Sequence, residues 1–190
     1  MKTSFILILS VALFFGCKSG NSNMNSDSTD MGVTENNSAN DTWDQDKIKE
    51  FVDEASAGSM LEVELGKIAQ RKALDQQVKD FGKLMEKDHS DAGDKLKTAV
   101  QGLGLTIPAS LDKEHQDKIT DLNKKTGKDF DKDYIDKMVQ DHKDDVDDFE
   151  EAQKNLPSGD LKTWVDNTLP VLRQHLIQAE TIQDALKNQK

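Results

Sequence analysis

The sequence predicts an all-α fold, an antiparallel four-helix bundle with a short extra helix in the crossover between its second and third long helices. Three observations carry that prediction. From Thr42 onward apolar residues recur every three or four positions, and nowhere there do they alternate as in a half-buried strand. The 190 residues are 32% charged and only 5% aromatic, with three prolines; that suits helices with charged outer faces and is poor in what a sandwich or barrel needs. Four long periodic segments are separated by two short turns and one long connection, which implies two antiparallel hairpins joined by a crossover, as in ferritin-like folds.

The first long helix is expected to start at Thr42, with Gln45 completing a capping box, and to run to about Arg71 on a stripe that includes Ile48, Phe51, Leu61, Leu65 and Ile68. The second begins near Asp75, carries Val78, Phe81, Met85 and Leu96, and ends at Gly102; Gly104 and Pro108 then break the pattern. Ser110 is expected to cap a shorter amphipathic piece with Leu111, Ile119 and Leu122, which stops at Gly127. The third long helix starts around Asp129, with Phe130, Tyr134, Ile135, Met138 and Phe149 on its stripe. Pro157-Ser158-Gly159 turns the chain into the fourth, marked by Leu161, Trp164, Leu169, Leu172 and Ile182. Pro170 lies inside that segment and is expected to kink it or to end a short lead-in helix.

Residues before the bundle read differently. Lys2 precedes an apolar run from Phe5 to Phe15, and Gly16-Cys17 follows. A run of eleven residues cannot span a bilayer, which takes about 20, so residues 1–16 read as a signal peptide. Cys17 is the only cysteine and has no disulfide partner to explain it. Its setting resembles the lipobox of bacterial lipoproteins, which implies lipidation of Cys17 and attachment to a membrane. Ordinary cleavage nearby, releasing a soluble periplasmic protein, is the alternative. Lys18 follows Cys17 where inner-membrane retention would call for aspartate, so the outer membrane is expected. Residues 17–41, rich in Asn, Ser, Asp and Gly, are expected to form a disordered tether of roughly 25–30 Å average reach, leaving 42–190 as the bundle domain. The net charge of −11 disfavours binding to nucleic acid and direct adsorption to anionic lipid. No protein partner is legible.

His115, among Lys113, Glu114, Gln116 and Asp117, is expected on a solvated face. The other three histidines lie on apolar stripes: His89 four after Met85, His142 four after Met138, His175 three after Leu172. Glu62, three before Leu65, does the same on the first helix. Counted from the turns at ~1.5 Å per residue, Glu62 and His89 differ in height by about 6 Å, and His142 and His175 by roughly 5 Å. Each long helix thus sends one ligand-capable side chain inward at a common level. One reading is a metal site of Glu62, His89, His142 and His175 for a single Zn, Fe or Cu ion, with Glu86, Asp88, Asp141 and Tyr134 as further ligands or orienting groups. The other is a metal-free polar layer in which the histidines and acids bond to one another and to Tyr134.

Phe51 with Ala55, Glu64-Leu-Gly66, Val78 to Phe81, Met85 with Asp88-His89, Phe130-Asp131 with Tyr134, His142, and Leu169-Pro170 with Leu172 and His175 together form a pattern. It resembles the bacterial family catalogued as domain of unknown function 4142, over about Asp46 to Lys187. The resemblance implies a ferritin-like fold and an outer-membrane location, and no established activity. Glu86 and His89 form the only Glu-x-x-His pair, and Leu172 stands three before His175, which argues against a di-iron centre and leaves at most a mononuclear one.

Other chemistry falls away. Asp129-x-Asp131-x-Asp133 begins like a calcium loop but has Tyr134 at the glycine position and Gln140 at position twelve; its aspartates are expected to favour a helix N-terminus. No phosphate-binding loop, dinucleotide fingerprint or nucleophile elbow occurs. The acids from Asp144 to Glu151 are expected to form a solvated face.

Overall fold

Asp44 caps the first helix, its carboxylate accepting the backbone N–H of Lys47, and α1 runs Gln45–Lys72 in the computed structural model, which describes residues 42–189. The expected signal peptide, the lipidated Cys17 and the tether lie outside the described residues. The N-cap lies two positions beyond Thr42 and no capping box forms, because aspartate is the better cap and Lys47 stands where Glu or Gln would return the bond. Asp75 caps α2 (Gln76–Ala99) through the N–H of Gln77. A 3₁₀ turn at Gln101–Leu103 follows, and Gly104 leaves it with φ 67°.

Two boundaries of the crossover helix differ from expectation. Asp112, not Ser110, caps α3 (Lys113–Lys124) by accepting the N–H of His115, and α3 ends before Gly127. Gly127 instead opens α4 (Gly127–Asn155) with φ 64°, a left-handed conformation that glycine reaches without steric cost. Finally, α5 (Asp160–Asn188) is continuous through Pro170, so the proline ends no lead-in helix.

α1 and α2 form one hairpin, α4 and α5 the other; α1 also lies against α4 and α2 against α5, while α3 crosses over α1 and α4. Every long neighbour is antiparallel, since the same half of the core collects Leu65 and Ile68 late in α1, Val78 and Phe81 early in α2, Phe130 and Tyr134 early in α4, and Ile182 late in α5. The opposite half holds Phe51, Leu96, Phe149, Trp164 and Leu169. Phe51, Phe149 and Trp164 pack there with ring centroids 5.2 to 6.4 Å apart. Among the described residues there is no strand, and no helix is long and apolar enough to cross a membrane.

Two features lock the first hairpin. Gly66 and Gly82 let the α1 and α2 backbones touch: a Cβ on Gly66 would stand 2.5 Å from the carbonyl oxygen of Gly82. Asp131, buried on α4, accepts the backbone N–H groups of Leu74 (3.0 and 3.1 Å) and Asp75 (2.8 Å), pinning the turn between α1 and α2. It therefore serves the neighbouring hairpin and not the N-terminus of its own helix.

Candidate metal centre

Between the two apolar halves lies one polar layer. Glu62 from α1, His89 from α2, His142 from α4 and His175 from α5 are all buried there, none more than 5% exposed. The helices bring them to one level because their stripes are in register, as the heights read from the sequence require.

The three imidazoles form a near-equilateral triangle, with ring centroids 5.4, 5.5 and 5.5 Å apart. One nitrogen of each lies within 4.8 Å of one nitrogen of each other ring. Hydrogen bonds say which nitrogens carry lone pairs. His142 donates Nδ1–H to the carbonyl of Met138 at 2.9 Å, which leaves Nε2 as the lone pair. His175 donates Nε2–H to Asp88 at 3.1 Å, which leaves Nδ1. His89 sets Nδ1 2.8 Å from Glu62, and its Nε2 has no hydrogen-bond partner. Nε2 of His142 and Nδ1 of His175 then face each other at 3.4 Å. Two nitrogens held ~2.05 Å from one tetrahedral ion stand about 3.3 Å apart, so the spacing suits shared coordination.

Glu62 takes a different place from the one expected. Its carboxylate lies behind the rings, 2.8 Å from Nδ1 of His89 and 3.2 Å from Nδ1 of His142, so it orients two imidazoles instead of joining their inward nitrogens. Both contacts are close but off the line of the ring N–H, and the two oxygens keep unfilled acceptor capacity. Burial pushes this carboxyl up, yet His142, His89 and His175 outweigh burial and hold it down at about 2. Burial first, then repulsion from His89 and His142, lowers His175 to about 4 against the pull of Asp88, so its Nδ1 is an available base at neutral pH.

The other expected residues divide. Asp88 reaches the layer through His175. Glu86 instead accepts from Gln70 on α1 at 2.6 Å, and Asp141 pairs with Lys137 at 3.1 Å. Tyr134 is fully buried between Phe81 and Phe130, and its hydroxyl has no hydrogen-bond partner. Burial, and secondarily the charge of Glu62, hold the phenol well above its usual range. Tyr134 therefore takes no part in the polar layer, in which Glu62, Asp88 and the three histidines contact one another. His115 is half-buried against Asp112 and not on a solvated face. Sequence reasoning missed the Met138 carbonyl, which no side-chain pattern signals. It also missed Asp145, half-buried in what had read as a solvated run; its i+3 spacing from His142 was the available clue.

Fold and site together define an all-α bundle with a buried three-histidine cluster at mid-height. A family model described as Domain of unknown function (DUF4142) matches residues 33–182, and the chain belongs to that family. No curated protein and no solved structure matches it.

Proposed function

We propose that the protein is a cell-envelope lipoprotein whose ferritin-like bundle binds a single transition-metal ion through His89, His142 and His175. Carrying this reading is the convergence of three buried imidazoles, His142 bonded through Nδ1–H to a carbonyl, His175 through Nε2–H to a carboxylate, and His89 with Glu62 2.8 Å from its Nδ1. Metal-binding histidines have that outer support as a rule, because it fixes the tautomer and raises ligand basicity. Without a cation, the lone pairs of His142 and His175 would oppose each other at 3.4 Å and Nε2 of His89 would stay unpaired in the interior, which is costly. Nitrogen donors of this kind suit Zn, Fe or Cu.

Elemental analysis of the purified full chain after reconstitution tests the site. One ion per chain is expected, and His89→Ala and His175→Ala should each abolish it. Folded wild-type protein that takes up no stoichiometric metal would remove the reading. Anchorage rests on residues 1–17: Cys17→Ser should move the protein from the membrane to the soluble fraction, and unchanged fractionation refutes lipidation.

Three protein ligands are also what catalytic metal sites use, the fourth position being left open. That count favours a second reading, a mononuclear metalloenzyme. Turnover of peroxide or of a chromogenic ester by the loaded protein, lost in His175→Ala, separates it from binding alone.

A further inference from the structure

We propose that the acidic cleft between α1, α3 and α4 is the route by which a divalent cation reaches the histidine cluster, captured by Asp145 and Asp141 and passed inward by Glu62. The inference rests on the metal reading above and deepens it.

The cleft holds about 520 Å³, and its wall includes Asp141, Asp144, Asp145 and Asp148 of α4. Glu62 lies at its inner end. The same carboxylate therefore borders the cleft on one side and touches Nδ1 of His89 and His142 on the other. It is 1% exposed, and neither of its oxygens has an aligned donor, while Lys137 Nζ lies 3.1 Å from both oxygens of Asp141. Unfilled acceptor capacity on the buried Glu62 carboxylate is what a passing cation would use.

Gly58 lines the cleft. It lies one turn before Glu62, and a Cβ built on it would stand 3.9 Å from Oδ1 of Asp145, which places that carboxylate beside α1. Burial first, then the charges of Glu62 and Asp141, push the Asp145 carboxyl well up, so its ionised form is disfavoured there unless a cation joins it. The two lysines on the wall are already engaged, Lys118 with Glu114 and Lys137 with Asp141. A hydrated divalent ion would first meet oxygen donors, which bind hard cations readily, and end on imidazoles, which suit transition metals better.

A second opening also reaches the cluster. The groove of about 1060 Å³ between α1, α2 and the 105–111 segment ends at His89, but Ser59, Met60, Val63 and Ile107 give it a largely neutral lining. Focusing of a cation by charge favours the acidic cleft.

Stopped-flow mixing of the metal-free full chain with Co²⁺ alone, read by its ligand-field absorption, tests the route. Loading of the wild type should slow steeply as ionic strength rises. The double variant Asp141→Asn/Asp145→Asn should load on the order of 10-fold more slowly yet reach the same end point, and lose most of the salt dependence. Met60→Trp, which fills the neutral groove, should load at the wild-type rate. Normal uptake with an unslowed double variant, or a slow Met60→Trp, overturns the route alone. No Co²⁺ bound at equilibrium overturns the route and the metal reading together.

Discussion

The carboxylate of Asp88 on α2 accepts Nε2–H of His175 on α5 at 3.1 Å and so turns Nδ1 of that ring toward His142. This bond crosses between the two hairpins at the level of the polar layer. It makes the orientation of the His175 ring depend on the packing of α2 against α5.

Asp88→Asn keeps the shape of the side chain but removes the charged acceptor. Metal affinity is expected to drop about 10- to 100-fold, with the helical content unchanged. Competition titration with a chromophoric chelator measures it. Wild-type affinity in this variant would mean that the bond does not orient the ligand.

At the first hairpin, Gly66→Ala places a methyl where the carbonyl of Gly82 would stand 2.5 Å away. The backbones must separate, and a loss of about 1–3 kcal/mol is expected, seen as a Tm several degrees lower. Gly93→Ala is the control, since a Cβ there meets nothing within 4 Å, and it should be neutral or up to ~1 kcal/mol stabilising. Equal effects at the two sites would show that close backbone packing is not the reason for Gly66.

Asp131→Ala strips the acceptor from the N–H groups of Leu74 and Asp75 and leaves those donors without their partner. Roughly 3 kcal/mol of destabilisation is expected. Hydrogen exchange should localise the change, with the amides of residues 74 and 75 losing protection first. A uniform loss of protection would point elsewhere.

Acid should weaken the metal-free fold in two stages. His175 has a folded pKa of about 4, below its ordinary 6.5, so the unfolded chain binds more protons between those values. Its contribution is complete above pH 6.5 and disappears as pH falls to about 4, a loss of roughly 3 kcal/mol at most. Glu62, lowered from 4.5 to about 2, contributes above pH 4.5 and loses that contribution on the way down to 2. Asp145 has the opposite sign: its raised pKa costs stability above pH 3.8, so Asp145→Asn should stabilise the metal-free protein at neutral pH. Denaturant melts from pH 7 to 2 check this, and His175→Gln should flatten the upper stage. An equally steep profile in that variant would assign the transition to another group.

Periodicity alone determined much of this protein. Four long amphipathic segments, the hairpin turns at 73–75 and 156–159, and the common height of Glu62, His89, His142 and His175 all follow from counting residues along helices of fixed rise. Helix ends were less legible, because Thr42 and Ser110 compete with the nearby Asp44 and Asp112 for the same capping role and only the folded backbone chooses. Tertiary structure alone decided what the polar groups do. A stripe position says that Glu62 points inward, but not that its carboxylate lies behind two rings; the side-chain rotamer and the approach of α2 and α4 set that. Likewise, the choice of nitrogen each histidine presents depends on partners tens of residues away, Asp88 for His175 and Glu62 for His89, and on a main-chain carbonyl for His142. Spacing along one helix is a local property of the chain; hydrogen-bond direction belongs to the assembled core.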